Sequence, residues 1–227
     1  MRINKYVALA TGISRRAADD LIAESSVLVN KQPVQIGQEI SKNDTVTLNG
    51  KTLVLPISFT TIVLHKPKGY VCSRNGQGSA TIYDLLPEQL YSLKPIGRLD
   101  KDSSGLLLLT NDGTLANTLT HPSKQKIKVY EITLDRPLNK LDWHSIHEQG
   151  IQLEDGLSTL FLERIKPYDN KQWQVTMHEG RNRQIRRTFA ALGYTVESLH
   201  RIQFGPYKLK NLPEGTYSSI PTSSKSG

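Results

Sequence analysis

The sequence contains one cysteine, Cys72, which excludes an internal disulfide framework and any cysteine-based zinc site. It has no apolar run long enough to span a bilayer. Arg2 and Lys5 are not followed by the apolar stretch of a signal peptide. A cytoplasmic protein is therefore expected, with no membrane partner. The Gly-rich segment 74–79 lacks the Gly-Lys-Ser/Thr ending of a phosphate-binding P-loop. Acidic residues are in deficit: 21 Asp and Glu stand against 29 Lys and Arg, for a net charge of +8. That imbalance points to a polyanionic partner, with nucleic acid the leading candidate. Apolar residues make up 37% of the 227, which is enough for a core.

Residues 1–55 read as one unit. Ile3, Tyr6, Val7 and Ala10 recur at helical spacing, and Gly12 ends that helix. Ser14 is placed to cap a second helix, whose apolar stripe is Ala18, Leu21 and Ile22. Val27-Leu28-Val29 is a short strand turned by Asn30-Lys31, and Asn49-Gly50 between two apolar runs predicts a tight hairpin. Arg2, Lys5, Arg15, Arg16 and Lys31 stand at the helix starts and the strand turn, where phosphates can also meet free N–H groups. Residues 56–60 read as a linker, 61–220 as a larger unit and 221–227 as a polar, disordered tail.

The larger unit is organised around Gly97-Arg98-Leu99-Asp100-Lys101-Asp102-Ser103-Ser104-Gly105, followed by Leu106-Leu107-Leu108-Leu109. Four leucines bounded by Gly105 and Asn111-Asp112-Gly113 predict a strand buried on both faces. The loop ahead of it would hold Asp100 at the margin of the core, fixed yet reachable. Taken alone, an Asp in such a loop can equally be a turn residue bonding its own backbone. Thr61-Ile62-Val63-Leu64-His65 and Tyr70-Val71-Cys72 predict strands on either side of the basic turn Lys66-Pro67-Lys68-Gly69, and Thr81 predicts a cap for a short helix. Residues 129–134, 160–165, 173–177 and 195–202 predict further strands, and 138–149 an amphipathic helix on which His144 and His147 face solvent. Arg183, Arg186 and Arg187 fall at i, i+3 and i+4 at the start of another helix, following Gly180 and Arg181; clustered arginines of this kind suit phosphates.

Arg-Ile-Asn-Lys-Tyr, Ser-Arg-Arg-Ala-Ala and Val-Leu-Val-Asn-Lys-Gln-Pro-Val resemble the small RNA-binding module of ribosomal small-subunit protein four. That module precedes Lys66-Pro67-Lys68-Gly69-Tyr70, the Gly97 to Gly113 motif, and Glu179-Gly180-Arg181-Asn182-Arg183-Gln184-Ile185-Arg186-Arg187. In this order the chain resembles the RsuA-type family of ribosomal RNA pseudouridine synthases. Ser103-Ser104 departs slightly, since Thr is commoner in that pair, but a hydroxyl is kept. The resemblance implies an α+β fold: a small α/β module, then a mixed, mostly antiparallel sheet flanked by helices, acting as a monomer. It implies Asp100 as the essential carboxylate, Tyr130 packing on the target base and Arg186 paired with Asp100. Arg98 and Lys101 would touch the RNA backbone, joined by Lys66, Lys68, Lys128, Arg181, Arg183 and Arg187.

The implied reaction exchanges an N-glycosidic for a C-glycosidic bond without redox change, so neither cofactor nor metal is required. It needs a carboxylate beside the sugar, as nucleophile or base, and an aromatic face to receive an extruded uracil. A non-catalytic RNA-binding assembly factor would share the basic faces and differ only at Asp100. A metal-dependent nuclease using Asp100, Asp102 and Asp112 is disfavoured, because the predicted strand separates Asp112 from the other two.

Overall fold

The described residues form a four-stranded sheet, a nine-stranded sheet and a separate two-stranded hairpin. A computed structural model describes residues 1–56 and 58–221; Ile57 of the expected linker and all but Pro221 of the expected tail lie outside them. In the first unit, α1 (Ile3–Thr11) buries Ile3, Val7 and Ala8 and stops at Gly12, whose φ of 79° aims its N–H at the Ala8 carbonyl. Ser14 caps α2 (Arg15–Ala23) by accepting the Ala17 N–H. The two helices cover the sheet of β1 (Val27–Val29), β2 (Gln32–Pro33), β3 (Val46–Leu48) and β4 (Lys51–Thr52), in the order β2-β1-β3-β4. Asn49 and Gly50 both have positive φ, at 50° and 77°, the geometry of a two-residue hairpin turn.

The second unit begins with β5 (Thr61–Lys66), β6 (Lys94–Ile96), β7 (Ser104–Thr110), α3 (Gly113–Thr120) and β8 (Lys128–Leu134). It continues with α4 (Lys140–His144), the hairpin β9 (Ile151–Leu153) and β10 (Gly156–Ser158), β11 (Phe161–Arg164), β12 (Gln172–Met177) and α5 (Gln184–Ala190). It closes with β13 (Val196–Phe204), β14 (Tyr207–Lys208) and β15 (Tyr217–Ile220). The main order is β11-β12-β8-β13-β7-β5-β15, with β6 also on β7 and β14 on β13. All these pairings are antiparallel except β7 with β13, so the sheet is mixed and mostly antiparallel.

All seven residues of β7 are buried. Leu107 and Leu109 join a core with Tyr130, Trp173 and Phe189, while Leu106 and Leu108 join another with Ile96, Leu119 and Phe204. Burying each leucine contributes roughly 1.5–3 kcal/mol, so the strand is a rigid floor for the loop before it. Asp112 forms no isolated turn: it caps α3, accepting the Thr114 and Leu115 N–H groups at 2.8 and 3.2 Å.

Some expectations change. Tyr70-Val71-Cys72 is not a strand; Val71 makes a single bridge to Thr81, because the chain turns away at once into the Gly-rich segment. The expected helix over 138–149 is α4 followed by a π-helical turn, Ser145–Gln149. His147 does not face solvent: it stacks on Trp143 at 4.5 Å, and its Nδ1 accepts the Leu162 N–H at 3.0 Å.

Gly105 decides how closely the halves of the sheet approach. Its φ is 106°, and a Cβ there would lie 2.3 Å from the Arg201 carbonyl oxygen on β13. Gly105→Ala is expected to cost several kcal/mol, by forcing apart the β7–β13 contact in a strained conformation. Gly113→Ala, where nothing lies within 4 Å, serves as the neutral control. Urea midpoints for the two variants check this; a Gly105→Ala midpoint equal to wild type would mean the sheet is not so constrained.

Candidate active site

The loop between β6 and β7 is held from beneath before its carboxylates meet anything. Leu99 is buried in the main core, and its carbonyl accepts from Cys72 Sγ at 3.3 Å while its N–H donates to the same sulfur at 3.4 Å. Lys66, the last residue of β5, is 0% exposed. Its ammonium donates to the carbonyls of Pro67, Asp100 and Ser103 at 3.0, 3.1 and 2.7 Å. Three donors thus meet three acceptors. Burial holds this ammonium below the usual lysine pKa, against the pull of nearby Asp102 and Asp100. Lys66 is therefore a support under the loop and not an RNA contact, since a fully buried ammonium cannot reach a phosphate.

The Asp100 side chain is 35% exposed, and its nearest guanidinium is Arg183, with Nη1 at 3.4 Å from Oδ2. The same Nη1 lies 3.2 Å from Asp102 Oδ1. Arg186 does not pair with Asp100. Its Nη2 bonds the Asp102 carbonyl at 3.1 Å and lies 3.3 Å from Asp102 Oδ2, and its Nη1 donates to the Val196 carbonyl. The reason is local: Arg183 precedes the helix with a left-handed φ of 46°, so it reaches further over the loop than Arg186 within the first turn. Burial pushes the Asp102 carboxyl up, but the Arg183 hydrogen bond and the Arg186 and Arg183 charges outweigh it and hold it below the ordinary aspartate value.

Arg181 and Arg187 are engaged elsewhere. Arg181 Nη1 and Arg187 Nη2 grip Asp155 at 2.8 and 2.7 Å, and Arg181 also donates to the carbonyls of Gly156 and Leu157. They tie the β9–β10 turn to the start of α5, which corrects their expected role as phosphate contacts. Arg183, Arg186 and Arg187 thus serve two loops instead of one shared face.

Asp100, Tyr130 and Arg183 meet at a cavity of about 210 Å³, walled by Met177, Ile185 and Leu199 and bordered by Arg98, Lys128 and Arg201. Tyr130 lies on β8 and is 8% exposed, held by the core on one side. Arg98 and Lys101 are exposed, and Lys101 Nζ bonds Ser79 Oγ at 3.0 Å. Lys68 is exposed and reaches the Glu197 carbonyl at 3.3 Å. In the first unit, Arg2, Lys5 and Arg15 line one shallow cavity, and Arg16 and Lys31 are exposed. Among the described residues, no three His, Cys, Asp or Glu side chains are grouped to hold a metal ion.

The sequence reading overlooked Cys72 as a brace for Leu99, Arg183 as the neighbour of Asp100, and Arg201. Arg201 is 2% exposed, with Nε on the Leu106 carbonyl at 2.8 Å and its guanidinium 6.0 Å from the Tyr130 ring centroid. Its one signal was a cation at an inward position among Val196, Leu199 and Phe204.

Comparison with known proteins matches residues 60–191 to the model of the RNA pseudouridylate synthase family and residues 1–46 to the S4 domain. A ribosomal large subunit pseudouridine synthase B of Bacillus subtilis is 37% identical, covering 94% of this chain and 89% of its own. A ribosomal small subunit pseudouridine synthase A of Pasteurella multocida is 34% identical, covering 97% and 96%. A crystal structure of a pseudouridylate synthase superposes on 98% of this chain and 97% of its own, with 32% identity and a TM-score of 0.69.

Two outcomes follow from the loop. Lys66→Met leaves the Pro67 and Ser103 carbonyls without this donor, while the Asp100 carbonyl keeps only the Ser103 N–H, at a cost of about 1–3 kcal/mol for each orphaned group; denaturation by urea measures it, and a loss below about 1 kcal/mol would contradict the bracing role. Asp102 has a lowered pKa in the fold, so its stabilising contribution is complete above the ordinary value of 3.8 and disappears as pH falls through the lowered one. Asp102→Asn should therefore be less stable than wild type at pH 7, and the gap should close in acid. A gap independent of pH would show that the ion pairs with Arg183 and Arg186 contribute nothing.

Proposed function

The chain belongs to the RNA pseudouridylate synthase family, in the RsuA/RluB type with an N-terminal S4 domain, and from that membership we propose that it isomerises a specific uridine of ribosomal RNA to pseudouridine. The observation that carries the site assignment is the Asp100 carboxylate, braced through its own carbonyl by Lys66 and open to a cavity walled by Tyr130. Relatives with small-subunit and large-subunit names match almost equally well, so the ribosomal subunit is left open.

The chemistry assigns roles to the chain's own groups. The C1′–N1 bond of the uridine breaks, the uracil turns, and a C1′–C5 bond forms; the C5 proton leaves and N1 gains one, so atoms and electrons balance with no redox partner. Asp100 acts at the sugar, as nucleophile on C1′ or as base toward a ribose proton. Arg183 holds the carboxylate oxygen in place, and Arg186 fixes the loop through Asp102, which makes Arg186 a positioning residue. Tyr130 offers a flat apolar face to the extruded base, and Met177 and Ile185 keep water from it. Arg98 and Lys101 contact the backbone around the flipped nucleotide, and Arg2, Lys5, Arg15, Arg16 and Lys31 hold structured RNA at a distance from the chemistry.

Asp100→Asn tests the enzyme against a binding protein with no chemistry. The variant keeps shape and removes one negative charge from a basic surface. It is expected to bind ribosomal RNA at least as well as wild type and to form no pseudouridine. Turnover by the folded variant at even a tenth of the wild-type rate would remove Asp100 from the mechanism; no turnover by wild type on unmodified ribosomal RNA would favour the assembly factor.

Replacing Arg2, Lys5 and Arg15 together by Gln should weaken RNA binding and flatten its dependence on log salt by up to about three units, one for each lost phosphate contact. The rate at saturating RNA should stay as in wild type. An unchanged salt slope would show that this cluster does not touch the RNA.

A further inference from the structure

A second and larger cavity, of about 700 Å³, adjoins the catalytic one. The two share a wall made by Lys128, Gly180, Arg181 and Arg201. Arg181 is committed to Asp155 and Glu179. Lys128 and Arg201 are not: among the described residues, neither has a carboxylate within ion-pairing distance. Lys128 Nζ has only the Lys126 and Glu179 carbonyls, at 3.4 and 3.1 Å. Arg201 spends Nε on Leu106, and its buried Nη2 has no hydrogen-bond partner. The Phe204 ring lies 5.4 Å from the Lys128 ammonium and 5.0 Å from the Arg201 guanidinium, so an aromatic ring stands where an anion is absent. Among the described residues, the one carboxylate lining the second cavity, that of Glu179, is held by Arg181 and Gln184.

Two unpaired cations beside each other in a half-buried wall are costly without an anion. Burial, and after it the Arg201 charge, lower the Lys128 pKa against the pull of the Glu179 carboxylate. A polynucleotide supplies the matching anion at the right place. If one nucleotide enters the catalytic cavity, a neighbour seated in the second cavity would be joined to it by a phosphodiester crossing the wall between them.

We propose that the second cavity receives the nucleotide next to the target uridine, and that Lys128 and Arg201 bind the phosphate joining the two. This rests on the proposed function above. The cavity is also bordered by His121, Gln125, His178 and Thr159, whose polar groups suit the edge of a base, and by Leu119 and Leu157, which suit its face. The site therefore recognises a dinucleotide step rather than a lone uridine.

The test uses an RNA hairpin carrying the uridine that the wild-type enzyme converts. Its phosphates on the two sides of that uridine are replaced, one at a time, by neutral methylphosphonates. Dissociation constants are measured with the full chain as Asp100→Asn, so that nothing turns over, and with Lys128→Met added to it. Without Lys128→Met, one of the two replacements should weaken binding about tenfold, as loss of one charge-assisted contact does. With Lys128→Met, the same replacement should cost little further, and changing the neighbouring base should alter wild-type kcat/KM. Lys128→Arg, which keeps the charge, should retain most of the phosphate penalty and guards against a folding defect in Lys128→Met. A penalty at neither phosphate, or one equally large with and without Lys128→Met, would overturn the proposal. The function itself is checked separately, by whether the wild-type protein converts the hairpin at all.

Discussion

A buried ammonium must find acceptors, and Lys66 takes two of its three from the loop that carries Asp100. That requirement shapes everything around it. The carbonyls of Asp100 and Ser103 point inward, while Lys101 and Asp102 between them are exposed. Cys72 and the buried side chain of Leu99 hold the near end of the loop, and β7 holds the far end. Removing one partner of such a buried polar set leaves the others desolvated and unmatched, so the arrangement is all or nothing. Rigidity in an exposed loop ordinarily comes from packing; here much of it comes from a fully buried cation.

The distribution of positive charge around the site is less generous than the composition suggests. Arg183 and Arg186 are balanced by Asp100 and Asp102, and Arg181 and Arg187 by Asp155. These pairs are partly exposed, so each contributes modestly to stability. Their value is geometric, since they fix one loop and one hairpin to the start of α5. Under the proposed function the cations left for RNA are fewer and lie at chosen places: Arg98 and Lys101 outside, Lys128 and Arg201 within the wall, and Arg2, Lys5 and Arg15 on the first unit.

What could be read from the sequence was whatever is decided within a few residues. Four leucines between turn signals foretold β7; Asn49-Gly50 foretold a hairpin; Gly12, Ser14 and Thr81 foretold their caps. Asp100 and Tyr130, expected together from the family resemblance, do border one cavity. The misreadings concern side chains whose partners come from far along the chain. A lysine ending a strand reads as exposed, and nothing near Lys66 announces that carbonyls from residues 100 and 103 will close over it. Spacing placed Arg183, Arg186 and Arg187 on one helix, but it could not say that Arg183 lies outside the helix in a left-handed conformation. The short pair β9 and β10 escaped notice because three residues are too few to show alternation.

The position of β13 has a consequence for the order of events during synthesis. It lies between β8 and β7, so Tyr130 and Asp100 stand on opposite sides of a strand made almost a hundred residues after the Asp100 loop. While the chain is still being made, β5 and β7 can pair, and β8, β11 and β12 can pair, but the two groups have no common neighbour. Each presents an open edge of unpaired N–H and C=O groups in that interval. Closing a loop of that length is the slow step of such a topology. Gly105, by letting the Arg201 backbone come within reach, is the point at which the two groups join. A nascent chain that has not yet reached β13 holds the loop, the tyrosine and most of the core, and still lacks the strand whose Arg201 completes their shared cavity.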